Sequence, residues 1–411
     1  MESSNPIAEL HQSLLKKLLC YPLYAIIPIL LIHFYLDPFY SSSPKIIIQT
    51  PPLATPPQPP PPSFSLCDYT EGEWVPAEAA PLYNGSTCST IKNGQNCMAY
   101  GRPDRDFLFW KWRPRHCDLP SFRPSAFLEL VSNKHVAFVG DSLARNQLES
   151  LLCMTASAAE PRLVYTFGKD NKFRRWIIPS HNATFSIYWS PFLVKGIEKS
   201  AERNYNQLFL DSPNEIWAKD LDDLDILIFS AGHWFLHPAV YYQNGGVLGC
   251  HYCENHTEIG FYDVFGRALK TAFESVIERR KEKEMDVILT TFTPAHFEGN
   301  WDKLGACAKT APYREGEKVL EGMNEEMRRV GVERVEEARF RVRDSKVRFR
   351  ALDVSKIALL RPDGHPGPYM NPNPFANGVG EHVQNDCVHW CLPGPIDTWN
   401  QILLDFILRD S

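Results

Sequence analysis

Three residue types at three places in this 411-residue chain could together do acyl chemistry. Ser142 follows Gly140 and Asp141 in the run Val136-Ala-Phe-Val-Gly-Asp-Ser-Leu-Ala-Arg145. Asp386 and His389 stand three residues apart near the C-terminus, bracketed by Cys387 and Cys391. A serine hydroxyl is a poor nucleophile at neutral pH. It needs an imidazole to take its proton, and the imidazole needs a carboxylate to fix its tautomer and stabilise its cation. The order Ser…Asp…His supplies all three. An Asp-x-x-His step on a helical turn or tight loop sets the two side chains side by side. Taken singly, each motif has a plainer reading: Gly-Asp-Ser is ordinary turn and cap chemistry, and Asp386 could simply cap a helix.

The elements around these residues are those such a site requires. His135–Val139 is an apolar, β-favouring run. Leu143, Leu148, Leu151 and Leu152 then recur at helical spacing, so Ser142 is expected at a strand–turn–helix junction. There its backbone N–H faces out from a helix N-terminus, where an oxyanion would be stabilised. Further strands are expected at Asp225–Phe229, Asp286–Phe292 and Phe349–Val354. Helices are expected at Ala126–Val131, Gln147–Met154, Tyr262–Lys281 and Glu317–Arg329. Strands alternating with helices at this spacing predict an α/β fold, a parallel sheet covered on both faces, with the site outside the carboxyl ends of the strands. Ser142, Gly232–Trp234 and His296 all fall at such ends.

The net charge of −6 offers no basic footprint for nucleic acid, and the chain is too aromatic to be disordered throughout. Ten of eleven cysteines lie beyond residue 66, as do three glycosylation sequons at Asn84, Asn182 and Asn255. Together these point to an oxidising, glycosylating compartment. Leu18–Leu36 is uncharged and mostly apolar, follows Lys16 and Lys17, and is long enough to cross a membrane. The expected organisation is a cytoplasmic tail at 1–17, a transmembrane signal anchor at 18–36 in type II orientation and a proline-rich stem at 37–66. A cleaved signal peptide is the rival reading of the apolar run.

From Cys67 to about residue 120, Cys67, Cys88, Cys97 and Cys117 fall among turn residues, with Trp74, Trp110 and Trp112. This predicts a small disulfide-rich N-terminal subdomain, 67–120, ahead of a catalytic domain at 121–411. The run Phe107–Trp112 alternates like a strand. Its tryptophans could stack on sugar rings or simply pack. Cys250-His-Tyr-Cys253 with His256 reads as a local disulfide or as half of a zinc site; no second half is evident, so no metal is expected.

Several stretches together resemble the plant trichome-birefringence-like family of polysaccharide O-acetyltransferases. They are Cys67-Asp-Tyr-Thr-Glu-Gly-Glu-Trp-Val75, Asn96-Cys97, Tyr100-Gly-Arg-Pro-Asp104, Cys117-Asp-Leu-Pro120, Gly140-Asp-Ser142, Arg361-Pro-Asp-Gly-His-Pro366 and Asp386-Cys-Val-His-Trp-Cys-Leu-Pro-Gly394. Leu248–Cys253, Pro294–Glu298 and Cys387–Asp397 are similar to the branch that includes xyloglucan O-acetyltransferases, with sister branches acting on xylan or mannan. The resemblance implies an SGNH/GDSL-like fold and a catalytic domain in the Golgi lumen behind a type II anchor. It implies Ser142 as nucleophile, His389 as base and then acid, and Asp386 as orienter. Oxyanion and substrate candidates are Asp141, Arg145, Gly232, His233 and His365, the two histidines as possible groove residues. No equivalent of the asparagine that related hydrolases place after their third strand can be assigned. The implied disulfides are Cys67–Cys117, Cys88–Cys153, Cys97–Cys391 and Cys307–Cys387, with Cys250–Cys253 remaining.

The expected activity is O-acetylation of a hemicellulose, foremost the galactosyl side chains of xyloglucan, through an acetyl-serine. No bound cofactor is expected. An acetyl donor is required, acetyl-CoA or a derivative, delivered directly or by a membrane protein that supplies it. A polysaccharide acetylesterase would use the same triad, and a lectin-like module would use the tryptophans without any reactive serine.

Overall fold

The computed structural model describes residues 67–168, 171–343 and 345–408, all within one compact unit, Ser65–Ser411. The tail, the apolar run and the proline-rich stretch of 1–66 lie outside the described residues. The described part opens with β1 (Gly72–Pro76) and β2 (Trp110–Pro114), an antiparallel pair joined by irregular backbone. Next come α1 (Pro124–Leu130), β3 (His135–Gly140) and α2 (Ser142–Thr155). Five strands follow: β4 (Arg162–Phe167), β5 (Phe173–Ile178), β6 (Ala183–Trp189), β7 (Val194–Ile197) and β8 (Asn206–Pro213). After the short α3 (Glu215–Ala218) lie β9 (Ile226–Ser230), β10 (Ala239–Gln243) and β11 (Gly246–His251). The remainder is α4 (Tyr262–Arg279), β12 (Met285–Thr290), α5 (Gly322–Arg341), β13 (Val347–Leu352), α6 (Ser355–Leu359) and α7 (Asp397–Leu408).

The central sheet has seven strands in the order β13-β12-β9-β3-β6-β5-β4. From β13 to β6 every pairing is parallel. The wholly parallel sheet expected from the sequence is corrected at one edge. Here β5 pairs antiparallel to β6, and β4 antiparallel to β5. Alternation along the strands explains the two-sided burial. Val136 and Phe138 of β3 join one core with α1, α2 and α7, whereas Ala137 and Val139 join the other with α4 and α5. A second sheet, β11-β10-β8-β7, packs beside α4; the sequence reading had no place for it.

Three expected segments are displaced. The long charged helix runs from Gly322 to Arg341 rather than from 317 to 329, and residues 317–321 are loop. The strand expected at Phe107–Trp112 begins at Trp110, after a 3₁₀ turn at Asp106–Leu108. The third central strand ends at Thr290, so His296 sits six residues beyond it, in irregular backbone. Trp74 and Trp112 are buried edge to face, 5.7 Å between ring centres, and their indole N–H groups donate to the carbonyls of Ile357 and Tyr69. They are packing residues, not an open sugar platform.

Candidate active site

Ser142 stands where β3 hands over to α2. The turn depends on Gly140, because a Cβ there would lie 1.7 Å from the carbonyl oxygen of Ser230 on the neighbouring strand. Asp141 is the N-cap. Its Oδ1 accepts from the Leu143 N–H at 2.9 Å and its Oδ2 from the Gly232 N–H at 3.2 Å. Burial pushes the Asp141 carboxyl up to about 6, against those two N–H donors and the nearby His389. The Gly232 N–H, a candidate oxyanion donor, is therefore already engaged by Asp141.

On the opposite side, His389 Nδ1–H donates to Asp386 Oδ2 at 2.7 Å. Asp386 Oδ1 accepts from the backbone N–H groups of Val388 and His389 at 3.0 and 2.9 Å. Burial works to raise this carboxyl. The imidazole of His389 and the two backbone donors outweigh it and hold Asp386 well below the usual carboxylate range. In the neutral imidazole with Nδ1–H directed at Asp386, Nε2 carries the lone pair; this nitrogen is buried and has no hydrogen-bond partner among the described residues. An imidazole so arranged can accept a proton at Nε2 while its cation is stabilised from behind.

The two halves are joined by a residue the sequence reading passed over. Asn146, one turn along α2 from Ser142, accepts the Trp390 N–H at 2.8 Å and donates to the Trp390 carbonyl at 3.2 Å. A buried side-chain amide thus reads a peptide group in both directions and locks the serine helix to the histidine loop. The i, i+4 step from Ser142 to Asn146 was the available signal, but neither the partner nor its direction is visible in sequence.

The loop that bears Asp386 and His389 is fastened from both ends. Cys307–Cys387 and Cys97–Cys391 bracket His389, and Gly367 pairs with Asp386 through two backbone bonds of 2.9 and 3.0 Å. Cys67–Cys117, Cys88–Cys153 and Cys250–Cys253 are also bonded. With the two sulfurs of the last pair bonded to each other, the zinc reading of that segment has no thiolates to use. Arg361 and Asp363 form a buried pair at 2.8 Å. Arg102 donates to the carbonyls of Asp363 and His365, which ties Tyr100–Asp104 to Arg361–Pro366.

The remaining candidates divide. Arg145 is buried, with its guanidinium carbon 5.8 Å from the Trp189 ring centre. His233 stacks on Phe292 at 4.5 Å, and burial drives its pKa down to about 3, so it is neutral. His365 is buried, with both ring nitrogens hydrogen-bonded. It forms part of the wall of a cavity of about 360 Å³, shared with Arg102, Cys307, Tyr369, Phe375 and Asn385. Asn84, Asn182 and Asn255 are all exposed.

Residues 119–406 match the model of the GDSL/SGNH-like acyl-esterase family found in Pmr5 and Cas1p, and residues 65–118 match the PMR5 N-terminal domain. Xyloglucan O-acetyltransferase 1 of Populus trichocarpa is 57% identical over 97% of this chain and 94% of its own length. The Arabidopsis thaliana protein of the same name is 56% identical over 84% of this chain and 81% of its own length. Protein trichome birefringence-like 26 of Arabidopsis thaliana is 41% identical over 84% and 78%.

Proposed function

This chain belongs to the GDSL/SGNH-like acyl-esterase family, and from that premise we propose that it is an O-acetyltransferase acting on the cell-wall hemicellulose xyloglucan. The observation that carries the chemistry is the 2.7 Å contact of His389 with Asp386, which leaves the other imidazole nitrogen partnerless. The similarity to xyloglucan O-acetyltransferases over nearly the whole chain supports the acceptor.

In the first half-reaction His389 Nε2 takes the Ser142 hydroxyl proton as Oγ bonds to the acetyl carbonyl carbon. The donor's bond to that carbon breaks, and its leaving group departs with the proton from His389. In the second half a sugar hydroxyl gives its proton to His389 and attacks the acetyl-serine. The Ser142 Oγ–acyl bond breaks and Oγ regains the proton. Asp386 stays ionised throughout and stabilises the imidazolium. The Ser142 backbone N–H, at the N-terminus of α2, is one donor to the oxyanion.

The finer reading takes galactosyl side chains as the acceptor and acetyl-CoA, or a donor derived from it, as the acetyl source, with no resident cofactor. It places the enzyme in the Golgi membrane, anchored through 18–36 with its catalytic domain lumenal and Asn84, Asn182 and Asn255 glycosylated. The three exposed asparagines and five disulfides support that compartment.

Incubating the purified protein with an acetyl donor and, separately, xyloglucan, xylan and glucomannan tests this directly. Mass increments of one acetyl on xyloglucan, absent in Ser142→Ala, are expected. Acetate release with no acetylated polymer would make the protein an esterase, and full activity in Ser142→Ala would remove the serine from the mechanism.

A further inference from the structure

Two histidines behind the catalytic loop have no step in the acetyl transfer, yet they form a continuous chain to it. His296 Nε2 lies 2.8 Å from the Leu359 carbonyl oxygen, and His296 Nδ1 lies 2.7 Å from His365 Nε2. His365 Nδ1 lies 2.7 Å from the carbonyl oxygen of His389. Both ends of the chain are carbonyls, which only accept. The three hydrogen bonds therefore need three protons. Two neutral imidazoles carry one each, so a neutral pair can fill only two of the three bonds.

We infer that His296 and His365 hold one extra proton in common, as a shared imidazolium, and that this pair positions the base by gripping the backbone carbonyl of His389. The inference deepens the reading of His389 as general base and rests on it for its functional part.

The surroundings both oppose and favour such a charge. Burial lowers both histidines, His365 well below its ordinary range. Facing His365 are the cation of Arg102, which donates to the His365 carbonyl oxygen, and the anion of Asp386. Facing His296 are Asp363, Lys318, Glu298 and Tyr313. The Trp390 ring stacks on His365 with centres 4.2 Å apart and planes at 27°, a geometry that favours a cation over its π face. The carboxylates, the ring and the terminal carbonyls favour the proton; desolvation, Lys318 and Arg102 disfavour it. The shared proton should therefore be lost as pH rises, and one of the three bonds with it; in the tautomer that keeps both protons on Nε2, the bond given up is the one to the His389 carbonyl.

The test uses the full-length protein labelled with ¹⁵N at histidine. Long-range ¹H–¹⁵N spectra at mildly acid pH should show one ring of the pair protonated at both nitrogens, with neutralisation as pH increases. His296→Asn supplies the decisive variant. An asparagine amide can donate to His365 Nε2, so a neutral His365 still donates Nδ1–H to His389 at every pH. In wild type, kcat should show a basic limb that His296→Asn removes, with kcat below that limb retained within about tenfold and KM little changed. Single protonation of both rings at every pH where the protein stays folded would overturn the inference, as would an unchanged limb in His296→Asn. Should that variant fail to fold, the wild-type spectrum alone decides. The spectrum needs neither donor nor acceptor, so failure of the transferase reading would show elsewhere, as retained activity in Ser142→Ala.

Discussion

Asp386 spends one oxygen on two backbone N–H groups and the other on the imidazole, so its work is positional as well as electrostatic. Asp386→Asn keeps the shape but lets the amide select the wrong imidazole tautomer. The expected result is a fall in kcat of about three to four orders of magnitude, as in serine triads, with KM nearly unchanged. The ionised carboxylate also stabilises the fold. Its folded pKa is depressed, so this contribution is present above the unfolded carboxyl range near 4 and is lost as pH falls below it. A thermal unfolding series from pH 5 downward should therefore fall more steeply for wild type than for Asp386→Asn. Asn146 offers a second test. Asn146→Leu keeps the branch at Cγ, though with a bulkier side chain, and leaves the N–H and carbonyl of Trp390 unpaired in a buried setting. A loss of about 2–4 kcal/mol in unfolding free energy is expected. A kcat loss that persists well below the melting temperature would separate the alignment of Ser142 with His389 from bulk stability. Wild-type kcat in a stably folded Asn146→Leu protein would show that the clamp does not align the site.

At the scale of elements, α7 shows how a helix can be docked through a charge held at a cost. Asp397, at its first turn, accepts from Ser150 Oγ at 2.6 Å, Tyr83 Oη at 2.8 Å and the Gly394 N–H at 3.3 Å. Burial nevertheless pushes its carboxyl up to about 6. The sign follows from linkage. The folded state binds the proton more tightly than the unfolded state, so stability falls as pH rises from about 4 to about 6, by up to about 3 kcal/mol from this group. Asp397→Asn should flatten that part of the curve, read as denaturation midpoints at the two ends of the window; an identical slope would show that the carboxyl is not held protonated. The same scale shows what was legible in sequence. The strands β3, β9 and β12 were readable because burial on both faces requires unbroken apolar runs, as in Ile226-Leu-Ile-Phe229. Strands such as Asn206–Pro213 and Phe173–Ile178 mix polar and apolar residues, and their pairing comes from tertiary neighbours that local periodicity does not encode. The helix Gly322–Arg341 was misplaced because its buried stripe of Met327, Val330, Val335 and Ala338 is set among many charged residues, including pairs such as Arg329–Glu333 and Arg339–Glu336, which dilute the apolar period. Ser142, Asp386 and His389 stand out as candidates in the sequence because acyl chemistry is written in residue type. Asn146 does not, because its part depends on a backbone group 244 residues away, and His296, noted only for its place near a strand end, depends for its part on a second histidine.

Across the whole molecule, the segment beginning at Cys67 shares one core with the catalytic sheet. Tyr69, Trp74 and Trp112 pack in the same cluster as α2 and α7, and Tyr83 reaches Asp397. Cys97–Cys391 closes a sequence separation of 294 residues and ends two residues from His389. Cys67–Cys117 closes only 50 and lies in the N-terminal region. Loop closure entropy grows slowly with length, so losing either bridge should cost a similar amount, about 3–5 kcal/mol. Their effects on the site should differ. In the Cys97→Ser/Cys391→Ser variant, the loop bearing Asp386 and His389 loses an anchor on one side and keeps Cys307–Cys387 on the other. Labelling of Ser142 by a fluorophosphonate should then slow by about tenfold or more at temperatures where the fold is intact. In Cys67→Ser/Cys117→Ser the labelling rate should stay at the wild-type level while the melting temperature falls comparably. Equal slowing in both variants would mean that the bridges act on the site only through global stability. Slowing confined to the first would make the N-terminal segment part of the catalytic apparatus, because it holds the His389 loop through a covalent bond on the side opposite to Cys307–Cys387.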